Sequence, residues 1–381
     1  MYRWIKKALI ITFVCVVSIY GFLILRTEVF MLSPTKSKDV DIFAIYGRNG
    51  QDETILEMCL RRLNSSMQCN PTKKVIFIKT HKTGSSTIAS ILQRYVYTKN
   101  LTMALPKASH FFSLKYLFKQ YMVTKKSNNR TYDMLTNHAR YNRPELEAVI
   151  PNATYITILR YPVAQFESAF GYFQWDKLIP KSFSDPIGEF FRNFDKYVVN
   201  TNSMRGNTRN GQLFDLGLSP QETLDAKKVS EKINALHSEF DLVLVTEYFD
   251  ESLILLRDKL CWSLDDILYI SSGIRSDGRR RSITTNTKEQ ILEWNNADLK
   301  LYEHFKGLLL DKISTYGPCF EYHLQELRQR QAALIKECTE PNLKNNAREN
   351  SYVLIKNAPP HCSYFLNGDV KFTKLLKKRI N

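Results

Sequence analysis

The amino-acid sequence predicts an α/β domain, a mostly parallel sheet flanked by helices, preceded by an N-terminal transmembrane helix. Three observations carry that expectation. Short, largely apolar runs rich in β-branched residues recur at residues 75–78, 154–159 and 241–245, as expected of strands buried on both faces. Each run leads through a polar turn into apolar residues at helical spacing, the alternation that builds parallel sheets. Near the N-terminus, Ala8 to Leu25 is an 18-residue run without a charge.

That run comes first in chain order. It is about long enough to cross a bilayer core as a helix. Arg3, Lys6 and Lys7 precede it, and Arg26 and Glu28 follow it. Positive charge before the span keeps residues 1–7 in the cytoplasm and sends the remainder to the lumen. The run is longer than a signal-peptide core and ends in no small-x-small cleavage site, so it reads as a signal-anchor over 8–25. Residues 26–72 are polar and irregular and read as a lumenal stem. The rest, 73–381, reads as one catalytic domain. Asn64, Asn100, Asn129 and Asn152 each begin an N-glycosylation sequon. Of seven cysteines, Cys15 lies within the membrane run. The other six (Cys59, Cys69, Cys261, Cys319, Cys338 and Cys362) permit three disulfides in any of 15 pairings.

The domain opens with Val75-Ile-Phe-Ile78, a strand, then the loop 79–84. Ile88, Ile91, Leu92 and Tyr95 then mark a helix. The second unit is the strand 154–159, its exit Arg160-Tyr-Pro162, and a helix through Phe166, Phe170 and Tyr172, with Pro162 suited to the first turn. The third strand, 241–245, leads through Glu247 into another helix. Residues 286–337 are expected to be mainly helical.

Composition bounds the function. The formal net charge is +16 over 381 residues, which fits an anionic ligand as well as simple solubility. The basic residues are spread along the chain, with the clearest clusters at Arg279–Arg281 and from Lys371 to Arg379. Without zinc-finger spacing or a repeated basic and aromatic module, nucleic-acid binding is not indicated. No C-x-x-C pair or carboxylate cluster of ligand spacing points to a metal.

The chemistry concentrates between the first strand and its helix, in Lys79-Thr-His-Lys-Thr-Gly-Ser-Ser-Thr87. A helix N-terminus offers unpaired N–H groups and a favourable dipole for an anion. Gly84 allows close main-chain approach, Ser85, Ser86 and Thr87 add hydroxyls, and Lys82 adds charge. The lysine precedes the glycine, so this is not a Walker A loop, and a P-loop ATPase is disfavoured. The plain alternative is a strand-to-helix turn with hydroxyl caps.

The stretch resembles the 5′-phosphosulfate loop of the galactose-3-O-sulfotransferases. Ile158-Leu-Arg-Tyr-Pro162 followed by Ser168 resembles the family's second signature, although Tyr161 stands where many members have Asp. Residues 137–141, 213–217, 247–252, 260–262, 294–295 and 301–305 extend the resemblance over roughly 73–320.

The resemblance implies a P-loop-like sulfotransferase fold in a single-pass type II Golgi membrane protein. The sulfate donor would be 3′-phosphoadenosine 5′-phosphosulfate (PAPS), with no metal. The acceptor would be the 3-hydroxyl of a terminal β-galactose on a glycolipid or glycoprotein. Lys79, Thr80, Thr83, Gly84, Ser85, Ser86 and Thr87 would hold the phosphosulfate, and Arg160 and Ser168 the 3′-phosphate. Arg275, in the glycine-rich basic loop 273–282, would close over the nucleotide, against the alternative of a solvated, flexible loop. Lys82 would neutralise the leaving phosphate. His81 is the first candidate base and His138 the second, with Glu167 and Glu247 behind them. Arg140, Tyr141 and Trp175 are candidates for the acceptor groove, against the commoner fate of core packing. The alternatives are a sulfotransferase for another glycan, such as a glycosaminoglycan, and a non-catalytic carbohydrate-binding protein.

Overall fold

The structure is a computed structural model that describes residues 57–61, 69–125, 131–198, 209–270, 283–341 and 352–380. The membrane run 8–25, Asn64, Asn129 and the loop bearing Arg275 lie outside the described residues. All described residues fall within one compact unit, Glu57–Asn381. Among them no helix is long and apolar enough to cross a membrane.

Four strands form one all-parallel sheet: β1 Val75–Ile78, β2 Met134–Leu135, β3 Thr154–Leu159 and β4 Leu242–Val245, in the order β2-β1-β3-β4. All four residues of β1 are fully buried, so helices must cover both faces, which is what an unbroken apolar strand requires. The two-residue β2 is the strand that the sequence pattern does not announce. After β1 the chain turns to one side of the sheet; after β3 it turns to the other. The C-terminal ends of β1 and β3 therefore flank the topological switch point, the usual ligand crevice of an open α/β sheet.

The helices follow from local sequence. Helix α1 (Ser85–Thr98) buries Ile88, Ile91, Leu92 and Tyr95, the predicted stripe. Next come α2 (Arg143–Val149) and α3 (Pro162–Tyr172), with Pro162 at its first turn. Phe166 and Phe170 of α3 pack with Trp175, Ile187 and Phe190 into an aromatic cluster. The next helices are α4 (Pro186–Arg192), α5 (Phe194–Val198), α6 (Gly211–Asp215), α7 (Ala226–Glu239), α8 (Phe249–Leu260) and α9 (Leu264–Ile267). The expected helical stretch is α10 (Thr285–Trp294), α11 (Asn296–Tyr316) and α12 (Cys319–Cys338). A hairpin of β5 (Thr339–Pro341) and β6 (Tyr352–Leu354) leads to α13 (Cys362–Leu366) and α14 (Asp369–Ile380).

The six cysteines form three disulfides: Cys59–Cys319, Cys69–Cys261 and Cys338–Cys362. Cys59 and Cys69, within the stretch read as stem, are thereby tied to α12 and to the end of α8. Asn100 and Asn152 are both exposed, and each adopts a positive φ in a turn.

Candidate active site

Two loops meet at the switch point. The first runs from Lys79 to Gly84, and its hydroxyls mostly turn inward. Thr80 and Thr83 are fully buried. Their Oγ1 atoms lie 2.8 Å apart, Thr83 donates to the Thr80 carbonyl at 3.0 Å, and Ser85 donates to the same carbonyl at 2.7 Å. Thr80 also donates to the Ile158 carbonyl of β3. These side chains brace the loop, so a ligand would meet main chain at Thr80 and Thr83. Ser86 is exposed and Thr87 partly so. Gly84 caps α1 with φ +76°, and a Cβ there would stand 3.4 Å from the Phe249 ring. The left-handed turn accounts for the glycine.

Lys79 is also turned away from solvent. Only 2% of its side chain is exposed, and its Nζ lies 2.5 Å from Asp369 of α14. It also donates to Ser86 Oγ at 3.2 Å. The carboxylate neutralises a lysine that the sequence offered to the phosphosulfate.

The two groups with reactive chemistry sit at the crest. His81 Nδ1 lies 2.8 Å from Asp215 Oδ2, and the His81 main-chain N–H donates to the same oxygen at 2.7 Å. A carboxylate on Nδ1 fixes the tautomer with Nδ1 protonated and leaves Nε2 as the acceptor. Gln165 of α3 holds the His81 carbonyl at 2.9 Å. Lys82 has φ 63°, and its ammonium lies 3.8 Å from the centroid of the Tyr172 ring.

The second loop is Arg160 and Tyr161. Gln212 grips the Arg160 backbone from both sides, accepting from its N–H at 2.8 Å and donating to its carbonyl at 2.9 Å. The guanidinium donates to the Lys82 carbonyl at 3.2 Å, joining the two loops. Thr246, just past β4, donates to both the Thr83 and Leu159 carbonyls, at 2.6 and 2.9 Å. Ser168 is buried on α3, the helix that begins directly after this loop.

The galactose-3-O-sulfotransferase family model matches residues 4–356. This chain belongs to that family. It is 32% identical over 289 residues to galactosylceramide sulfotransferase of Homo sapiens, covering 74% of this chain and 66% of the relative. It is 34% identical to galactose-3-O-sulfotransferase 2 of Sus scrofa, covering 72% and 71%. It is 35% identical to galactose-3-O-sulfotransferase 3 of Mus musculus, covering 72% and 65%. The chain spans just under two thirds of the length of the galactosylceramide sulfotransferases that it matches, 66% and 63%. A sulfotransferase structure from Alicyclobacillus acidocaldarius aligns with a TM-score of 0.34 at 13% identity, over 62% of this chain and 95% of that one. At that distance it informs neither site nor chemistry.

Within the family member seen here, His138 stacks on His81, ring centroids 4.3 Å apart at 19°. Burial, then the charge of Lys79, holds its pKa well below the ordinary histidine value, and it hydrogen-bonds the Lys79 main chain. Glu247 accepts from the Tyr161 N–H at 3.0 Å and bonds the Tyr302 hydroxyl, whose pKa is raised chiefly by burial. The three groove candidates belong to the interior. Arg140 donates to the Phe214 and Leu218 carbonyls, Tyr141 donates to Glu239 at 2.7 Å, and Trp175 is 1% exposed in the aromatic cluster. Arg140 and Trp175 satisfy or bury their groups against their own fold, as core positions do. Sequence reasoning missed Asp215, Gln212 and Asp369 as partners of the site. Asp215 had a signal, an acid between Phe214 and Leu216 in a run that resembles the family.

Proposed function

We propose that this chain is a carbohydrate sulfotransferase that moves the sulfuryl group of PAPS to the 3-hydroxyl of a terminal β-galactose on a glycolipid or glycoprotein. One observation carries the reading: an Asp215-oriented His81 rides on an anion-type loop beside two cations, Lys82 and Arg160. Family membership supports both the acceptor class and the donor.

The residues fit a doubly phosphorylated donor. The N-terminus of α1 favours an anion, and Arg160, gripped through its backbone, can fork onto a phosphate. Its companion from the sequence is Ser168. The donor supplies a sulfuryl group whose bond to the 5′-phosphate breaks as the sugar oxygen bonds sulfur. His81 Nε2 takes the proton of that hydroxyl, and Asp215 stabilises the imidazolium. Lys82 meets the negative charge that builds on the leaving phosphate, and charge stabilisation of this kind dominates such in-line transfers. His138, with its depressed basicity and its bond to Lys79, serves as the wall on which His81 stacks.

We assign the chain to the Golgi membrane in type II orientation. The charge bias around 8–25 supports this, as do the three disulfides and the exposed Asn100 and Asn152. No metal is needed in this scheme. Cys338, His361 and Cys362 do lie together, but both thiols are spent in a disulfide.

The test is transfer of labelled sulfate from PAPS by the lumenal chain to galactosylceramide, lactosyl and N-acetyllactosamine acceptors. Transfer to galactose 3-OH in at least one is expected. Transfer only to a glycosaminoglycan, or PAPS binding without transfer, would contradict the reading.

A further inference from the structure

The short helix α6 touches both loops of the site, and all five of its residues are buried. Its C-terminal residue, Asp215, grips His81; its second residue, Gln212, grips Arg160. The N–H groups of its first turn are held by α11. Asp298 Oδ2 accepts from the Gln212 N–H and Oδ1 from the Leu213 N–H, each at 2.9 Å. Asn210 and the α10–α11 junction lock reciprocally around this bond: Asn210 N–H donates to Asn295 at 2.8 Å, and Asp298 N–H donates to Asn210 at 3.1 Å. Arg140 also holds the Phe214 and Leu218 carbonyls, at 2.9 and 3.1 Å. Gly217 follows α6 with φ +99°, where a Cβ would lie 2.6 Å from the Tyr141 carbonyl oxygen.

Asp298 is 1% exposed. Burial pushes its carboxyl up to about 7, while the N–H groups of Gln212 and Leu213 pull it back. A buried acid is costly unless it is fully hydrogen-bonded. A neutral residue would stabilise the core at less cost, so the acid is explained by the two N–H groups that it fixes.

We infer that Asp298 is a positioning residue for sulfuryl transfer, acting through α6 on both the base and the donor-binding arginine. It touches no substrate; its two oxygens fix the rotation of α6, and so the directions from which Asp215 meets His81 and Gln212 meets Arg160. This rests on the function proposed above. A misplacement of about 1 Å at reacting groups can cost on the order of 100-fold in rate.

The test uses the active lumenal chain, so that absence of any wild-type transfer would defeat the functional reading rather than this inference. Asp298→Asn is expected to lower kcat by roughly 100-fold and to raise the KM for PAPS by about tenfold. It turns an N–H donor toward one of the two N–H groups. Leu309→Ala, a 1%-exposed core position on the same helix, serves as a matched loss of thermal stability and should keep kcat within about threefold. Asp298→Ser, which keeps one acceptor, takes its place if Asp298→Asn does not fold. In an Asp215→Asn background the kcat loss from Asp298→Asn should largely vanish, since both act through His81. Gln212→Ala should raise the PAPS KM alone. The inference is overturned if Asp298→Asn retains normal kcat and KM, if Leu309→Ala loses activity in parallel with stability, or if the Asp298 and Asp215 losses multiply.

Discussion

The two loops at the switch point are built by opposite means. The first, 79–84, is braced by its own hydroxyls and carries its chemistry on side chains at the crest, His81 and Lys82. The second is held from outside: Gln212 fixes the Arg160 backbone, Glu247 fixes Tyr161, and the guanidinium itself donates to the Lys82 carbonyl. The contrast matches two tasks. A group that acts in the transition state must be oriented, as Asp215 orients His81. A group that holds a phosphate needs a fixed origin and a charged end. Under the proposed function the first loop is the transfer end and the second the binding end.

That assignment can be broken at either end. The largest effect is expected from His81→Ala, with kcat reduced by about 100- to 10,000-fold, the scale of general-base catalysis. Steady-state kinetics would check it. His138→Ala should cost far less; if it abolishes turnover while His81→Ala does not, the bases are exchanged. Lys82→Ala comes next, with kcat falling by about 100- to 1,000-fold if the ammonium meets charge developing on the leaving group. A change confined to KM would move Lys82 to the binding end.

Arg160→Ala is expected to raise the KM for PAPS by ten- to a hundredfold with kcat nearly kept, the value of about 1.5–3 kcal/mol for one charge-assisted contact. An equal drop in kcat would erase the contrast between the loops. The smallest effect is structural. Gly84→Ala forces a Cβ into a left-handed turn at a cost of about 1–2 kcal/mol, read as a lower unfolding temperature in a thermal scan.

The legible parts of this chain were those written in periodicity. Three strands and the helices after them follow from apolar runs, and the Ile88, Ile91, Leu92 and Tyr95 stripe is buried as spaced. β2 was not legible, because two residues of Met and Leu make no pattern; it exists because β1 has a free edge. Within the site, His81, Lys82 and Arg160 were readable from their strand-end positions. The residues that hold the site in place were not. Asp215, Gln212, Asp298 and Asp369 lie between about 50 and 290 residues away along the chain, and only the folded topology brings them in. The same blindness explains Lys79, Thr80 and Thr83. Residue type offered them to a ligand, while the fold satisfied them internally. Arg140, Tyr141 and Trp175 went the same way, as interior residues of polar or aromatic type often do.

The contrast between the loops rests most directly on the affinity of the product nucleotide, 3′-phosphoadenosine 5′-phosphate, measured by calorimetry for wild type, His81→Ala and Arg160→Ala. The account predicts that His81→Ala binds like wild type although it barely turns over, and that Arg160→Ala binds ten- to a hundredfold more weakly, the scale of one charge-assisted contact. Equal losses of affinity in the two variants, or full affinity in Arg160→Ala, would contradict it.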